Sequence, residues 1–229
     1  MYPISLHISG KLCVVVGGGQ VAERKVVALL KAHAVVRIIS PELTEDLASL
    51  VAEQAATGAV QWWQRGYQEG DLDGALLAFA ATDNRQVQDA VVLAAQQAGI
   101  LVNVVDAPES CDFQVPALVR RGDLNIAVST NGASPALAAK VRQELEERYG
   151  EEYAVVLRLM ALLRKKICNS SPSTCADRKR VFQNILHEDI IHWIRAEQWE
   201  KIAQHLDTVL GPGIDFDLTE LTAQEIKET

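Results

Sequence analysis

Apolar and polar positions along roughly the first half of the chain follow a strand–helix–strand rhythm. Residues 11–16 form a continuous apolar run ending at glycine, the pattern of a strand buried on both faces. Residues 21–31 carry Val21, Val26, Ala28, Leu29 and Leu30, which predicts a helix. Residues 35–39 read as a second strand stopped by Ser40-Pro41, residues 43–56 as a helix, and residues 60–63 as a short third strand. A fourth strand is expected over 75–81, a helix over 86–98 ended by Gly99, and a fifth strand over 101–105. Short connections between alternating strands and helices predict an α/β fold with a Rossmann-type, doubly wound parallel sheet over residues 1–112.

The rhythm changes near Phe113. Residues 113–119 and 124–130 flank Arg120-Arg121-Gly122-Asp123 and predict a β-hairpin. Ser134-Pro135 opens a helix reaching about Tyr149, with serine at the N-cap and proline at N1. Residues 113–149 are therefore expected to form a hairpin-helix region, and 150–229 a helical C-terminal domain. Within that domain, turn residues at 169–173 break the helical pattern, and an acidic tail beyond Gly211-Pro212-Gly213 is expected to be loosely held.

The first strand breaks into Gly17-Gly18-Gly19-Gln20-Val21-Ala22, a G-x-G-x-x-A sequence between strand and helix. The first glycine makes the tight turn, the second lets backbone amides approach a pyrophosphate, and Ala22 lets the helix pack close to the sheet. The helix N-terminus adds N–H donors and partial positive charge, so a dinucleotide is the expected ligand. Where a ribose-binding acid usually ends the second strand, this chain has Ser40, with Glu42 two residues on. Arg37 lies within the strand and no arginine follows it to hold a 2′-phosphate, so NAD is expected over NADP.

Composition narrows the classes. A net charge of -8 argues against general nucleic-acid binding. Met1-Tyr2-Pro3-Ile4 has no basic stretch of a secretory leader, and no apolar run approaches the roughly 18–20 residues of a membrane span. Cys13, Cys111, Cys168 and Cys175 show no CxxC spacing. A cytoplasmic protein without disulfides or structural zinc is the expectation. The histidines form no cage: His187 and His192 are too far apart to share a helical face, and His7, His33 and His205 are isolated in the sequence. Trp193 and Trp199 are expected in a core.

A doubly wound sheet places chemistry beyond the carboxyl ends of its strands. Thr82-Asp83-Asn84 follows the fourth strand; Asn103 and Asp106 end the fifth. Asp83 reads equally as a ligand contact or as the N-cap of the next helix. Asp106, before Ala107-Pro108, is either a turn former or a catalytic carboxylate, and its place at the nicotinamide end of the crevice favours catalysis.

Taken in order, the YPI start, GGGQVAERK, AATDN, VNVVDAPESCDF and STNGASPALA resemble the siroheme synthase family, in its precorrin-2 dehydrogenase and sirohydrochlorin ferrochelatase module. The resemblance spans about residues 2–145 and is only general beyond. It implies NAD-dependent oxidation of precorrin-2, an octacarboxylate tetrapyrrole, to sirohydrochlorin, with Fe²⁺ as the substrate of a following chelation in many members. It implies Asp106 as acid/base, cofactor contacts at Gln20, Val21, Pro41 and Glu42, and a homodimer paired through the hairpin-helix region. Together with Gly17, Gly18, Gly19, Thr82 and Asp83, these complete the expected cofactor site. An acidic chain holding a polyanion needs local cations. Arg120 and Arg121 at the hairpin, Lys140 and Arg142, and the helix start at Ser134 are the candidates, beside Asn103. Two departures from the family are visible: His33 stands where glycine usual follows the first helix, and Thr130 stands beside Ser129 where some members carry a phosphorylated serine. Two other functions remain open: a dehydrogenase without chelation, and a non-catalytic NAD-sensing module.

Overall fold

The computed structural model describes residues 1–170, 175–186 and 189–211. Two compact units divide the chain at Val115 and Pro116. In the first, β1 (Leu12–Val16), β2 (Val35–Ile39), β3 (Val60–Trp63), β4 (Leu77–Ala80) and β5 (Leu101–Val104) form one sheet in the order β3-β2-β1-β4-β5. Every pairing is parallel. The order reverses between β1 and β4, so the loops after those two strands part at a topological switch point.

Both faces of the sheet are covered, which explains why its strands read as unbroken apolar runs. On one face Cys13, Val15, Val36, Ile38, Leu77 and Phe79 meet Ala22, Val26 and Leu29 of α1 (Gln20–Lys31) and Leu47 of α2 (Glu45–Gln54). On the other, Val14, Val16, Ala78, Ala80, Val102 and Val104 meet Val91 and Ala95 of α3 (Arg85–Ala98). Burial pushes the Cys13 thiol up to about 11, so it behaves as a small apolar side chain. No helix fills the crossover from β3 to β4. Instead Leu72 is buried there, and the Asp71 carboxylate takes two 2.7 Å bonds from Arg65 and one of 2.8 Å from the Gln68 amide. Arg37 donates to the Asp71 carbonyl at 2.9 Å and lies 4.2 Å over the Trp63 ring.

The elements sit close to expectation, with three informative differences. The expected helix over 43–56 starts two residues later, because Thr44 accepts from the Leu47 amide as its cap, and it ends in a short 3-10 turn over Ala55–Thr57. The hairpin in the second unit pairs β6 (Ala117–Arg121) with β7 (Leu124–Val128), so Arg120 and Arg121 lie in a strand and only Gly122-Asp123 turn. Its first strand starts after Phe113, whose ring packs edge-on against Phe79 at 5.5 Å, and after Pro116, which has no N–H to pair.

The second unit continues with α4 (Pro135–Arg148), α5 (Glu152–Ser170), α6 (Cys175–Ile185), α7 (Ile190–Arg195) and α8 (Trp199–Leu210). Leu159, Leu163, Ile185, Ile190, Ile202 and Leu206 form its core, with Trp193 and Trp199 packed against it as expected. His205 sets its Nε2 3.1 Å from the Asn184 carbonyl oxygen. The expected break at 169–173 falls mainly outside the described residues, as do His187 and the acidic tail. A further turn separates α7 from α8, with Glu197 at φ +53.

Candidate functional site

The glycine loop joins β1 to α1 at the switch point. Gly17 holds φ +127, and a methyl group there would overlap the Ala81 carbonyl, so the loops after β1 and β4 touch. The middle glycine has a different reason. A methyl on Gly18 would overlap the Glu42 carbonyl, and the Thr44 amide donates to the Gly18 carbonyl at 2.9 Å. The segment after β2 is thus laid directly on the glycine loop. Gly19 is the opposite case: nothing lies within 4 Å of where its methyl would be. It caps α1 without any side-chain acceptor, leaving the first-turn amides free of side-chain caps. An open cradle of unengaged donors at a helix N-terminus fits a pyrophosphate.

The segment after β2 is rigidly set. The Ser40 hydroxyl donates to the Glu42 carbonyl at 2.6 Å, and the Trp62 indole donates to the Ser40 carbonyl at 2.9 Å. Pro41 and Glu42 are both exposed. A cleft of about 660 Å³ opens beside Gln20, lined also by Glu23, Arg24, Thr44, Glu45 and Asp46. Thr44 donates to Glu23 at 2.5 Å and Arg24 donates to the Gln20 carbonyl at 3.3 Å. Three carboxylates face one guanidinium there, and Arg37 is committed to Asp71 and Trp63.

Across the switch point stand the loops after β4 and β5. The helix-cap alternative for Asp83 fails: Asn84 caps α3, accepting from the Val87 amide at 3.3 Å, while Asp83 is exposed beside it. Asp106 is exposed at φ +60, the left-handed region that aspartate tolerates better than most residues. Its flanks are fixed. The Val105 amide donates to the Ala80 carbonyl at 3.0 Å, and the Ser110 amide donates to the Ala107 carbonyl at 3.0 Å. Cys111 rests its sulfur 3.1 Å from the Val104 amide and 3.4 Å from the Ala107 carbonyl. The VNVVDAPESCDF stretch is thus a strand, a tight turn and a return. Asp112 exchanges two 2.9 Å bonds with Val102 in closing that return. Asn103 also serves it, donating to the Phe113 carbonyl at 3.0 Å.

Two residues in this unit carry more than their sequence positions suggested. Gln88 lies on the core stripe of α3 with Val91 and Ala95, and it bonds to both the Thr82 and Val105 carbonyls. An amide on an otherwise apolar helical stripe was the available signal. Lys25 sits on α1 with its ammonium 5.6 Å above the Phe79 ring, and burial pushes its pKa down.

In the second unit the expected cations separate. Arg121 is not free to receive a substrate. It donates to the Tyr149 carbonyl at 2.9 Å and the Glu146 carbonyl at 3.2 Å, and pairs with Glu151 at 3.4 Å, closing the carbonyl end of α4. Arg142 pairs with Glu146. Arg120 and Lys140 are exposed, with Arg120 donating to Asn125 at 3.1 Å. The Ser134 hydroxyl caps α4 by accepting from the Leu137 amide at 3.2 Å. Thr130 exchanges two 3.1 Å bonds with the Ser134 backbone, while Ser129 accepts from the Asn131 amide. Among the described residues no group of His, Cys, Asp or Glu is placed to hold a metal, and no helix is long and apolar enough to cross a membrane.

A family model for NAD(P)-binding matches residues 4–117, and the sirohaem biosynthesis protein central model matches residues 121–148. The siroheme synthase of Thioalkalivibrio sulfidiphilus is 34% identical over 93% of this chain and 43% of its own length. That of Methylobacillus flagellatus is 39% identical over 82% of this chain and 40% of its own. The chain therefore spans less than half the length of these curated relatives. A solved structure of "SirC, precorrin-2 dehydrogenase" superposes with a TM-score of 0.70 over 89% of this chain and 100% of that one, at 24% identity, which is a likeness of fold. With an NAD(P)-binding domain followed directly by the sirohaem central segment, and relatives similar along most of its length, the chain belongs to the siroheme synthase family.

Proposed function

We propose that this protein oxidises precorrin-2 to sirohydrochlorin with NAD⁺ as hydride acceptor. The observation that carries the reading is an open anion cradle at Gly19, after β1 at the switch point, on the same carboxyl end of the sheet as an exposed carboxylate, Asp106, after β5 two strands away. NAD⁺, when bound, would supply the acceptor for a hydride, two electrons with one hydrogen. The macrocycle must also lose a proton, and Asp106 is the group proposed to accept it. Gly17, Gly18, Gly19, Gln20 and Val21 hold the pyrophosphate, Pro41 and Glu42 the adenosine ribose, and Thr82 and Asp83 line the far side. The Glu42 carboxylate repels a 2′-phosphate, and the acidic cleft beside it adds to that preference. Arg120, Lys140 and the start of α4 at Ser134 are the proposed contacts for substrate carboxylates, while Asn103 spends its amide nitrogen on the Phe113 carbonyl and supports the loop. Arg121 acts structurally.

Insertion of Fe²⁺ to give siroheme is the second activity proposed, on the strength of the relatives named siroheme synthase. Metallation removes two pyrrole N–H protons, chemistry for which the same carboxylate is suited. The iron is a substrate and needs no resident cage. We place the protein in the cytoplasm as a homodimer, with Leu118 on the outer face of the hairpin and Leu137 on α4 both exposed in a single copy.

The deciding experiment incubates purified protein with precorrin-2 and either NAD⁺ or NADP⁺, with and without Fe²⁺, followed by absorbance. Sirohydrochlorin should form faster with NAD⁺. Equal kcat/KM for both nucleotides would overturn the assigned preference, and no oxidation with either would leave an NAD-sensing module. Sirohydrochlorin without siroheme would make it a dehydrogenase alone. Asp106→Asn should lower kcat by about 10²–10⁴-fold while NAD⁺ still binds. Asparagine accepts the left-handed backbone readily, so near-normal turnover would remove Asp106 from the chemistry.

A further inference from the structure

Beyond the groups that face the crevice, we infer that Gln88 is a positioning residue that clamps the loops after β4 and β5 and so sets the place of Asp106; this rests on Asp106 being the base. Gln88 stands in the first turns of α3 and is only 7% exposed. Its amide nitrogen donates to the Thr82 carbonyl at 2.7 Å and to the Val105 carbonyl at 3.4 Å. Its carbonyl oxygen is turned the other way, 3.5 Å from an Arg85 guanidinium nitrogen.

The chemistry of the three groups explains why a glutamine is needed. Both loop carbonyls are acceptors only, so a hydroxyl can satisfy one of them but not both. A primary amide carries two hydrogens on one nitrogen and can bridge the pair. Thr82 immediately precedes Asp83, and Val105 immediately precedes Asp106. One side chain therefore ties together the two peptides from which the crevice carboxylates project. Asp106 needs such support, because its left-handed φ of +60 is held by its neighbours and not by its own preference. On its other side the Ala107 carbonyl receives the Ser110 amide and lies beside Cys111. Remove the Gln88 bridge and the first flank keeps only the backbone bond from the Val105 amide to the Ala80 carbonyl.

The test uses Gln88→Met, which keeps length and volume and loses both donors. Three quantities are read on the full chain: kcat at saturating NAD⁺, NAD⁺ affinity by calorimetry, and amide exchange across residues 101–107. We expect kcat to fall about tenfold, NAD⁺ affinity to stay within threefold, and exchange to quicken at 105–107 while 101–104 remain protected. Repeating the substitution in an Asp106→Asn background should cost less than twofold more, since the base being positioned is already gone. Should the methionine variant fail to fold, Gln88→Asn replaces it, with an amide one methylene too short to reach both carbonyls. A folded variant with kcat within twofold of the parent, or unchanged exchange at 105–107, overturns the inference. An equal loss in both backgrounds also overturns it, by marking a general disturbance of the sheet. If Asp106→Asn alone turns over normally, the reading of Asp106 fails instead, and exchange at 105–107 still reports whether the clamp exists.

Discussion

At Gly17, Gly18 and Gly19, three adjacent residues of one type answer to three different neighbours: a carbonyl from the β4 loop, a carbonyl from the β2 loop, and open space. Gly19→Val should therefore leave folding intact and abolish nucleotide binding, since its side chain would project into the cradle alone; calorimetry with retained NAD⁺ affinity would refute that use of the loop. His33 makes the complementary case. It closes α1 at φ +58, its amide donating to the Leu30 carbonyl at 2.8 Å, a position suited to glycine. His33→Gly should raise stability by about 1 kcal/mol, the order of the left-handed penalty it relieves, read as a rightward shift in a denaturant melt with activity unchanged. The first and third glycines were legible from spacing. The middle one was not, because its reason is a segment twenty-odd residues away that only the fold brings over it. The contacts of Arg121 with the end of α4 were hidden for a similar cause: a cation's neighbours in sequence do not reveal that a helix ends beside it.

Among the elements, the crossover between β3 and β4 buries Leu72 and holds an ion pair, Arg65 with Asp71, where a helix is common. Burial alone would raise the Asp71 carboxyl, but the bonds from Arg65 and then from the Gln68 amide hold it below the usual carboxylate range. A lowered folded-state value gives stability that is present above the unfolded pKa of about 4 and is lost as pH falls through the folded one. Denaturant melts should accordingly show stability dropping below about pH 4. Asp71→Asn should cost about 2 kcal/mol at pH 7 and flatten that acid dependence. A variant as stable as the parent at pH 7 would show the pair to be surface decoration. The strand and helix pattern was readable here, from uninterrupted apolar runs and from caps such as Ser134. The crossover was not, since its order comes from one charged pair and no periodicity. Asp83 and Asn84 show the same limit at a helix start, where either residue type makes a cap and only geometry chooses.

For the whole molecule, the hairpin-helix region carries apolar groups that a single copy leaves in water, Leu118 at 38% and Leu137 at 52% exposure. A two-fold pairing would bury the same patch from both subunits. Sedimentation at micromolar concentration should give twice the 25.0 kDa chain mass; Leu137→Glu should shift it to monomer, and a parent that sediments as a monomer would refute the pairing.

The return of the chain over 111–113 bears on that assembly. An outer strand of a sheet offers a row of backbone donors and acceptors to any passing strand. Here Asp112 occupies part of that row on β5 with both its amide and its carboxylate, so this border is shielded by the chain itself. The sheet has its other border at β3. A subunit joining by extending the sheet would have to approach there, on the side away from Asp106. The residues that shape the proposed catalytic turn thus also block strand pairing along part of their own edge.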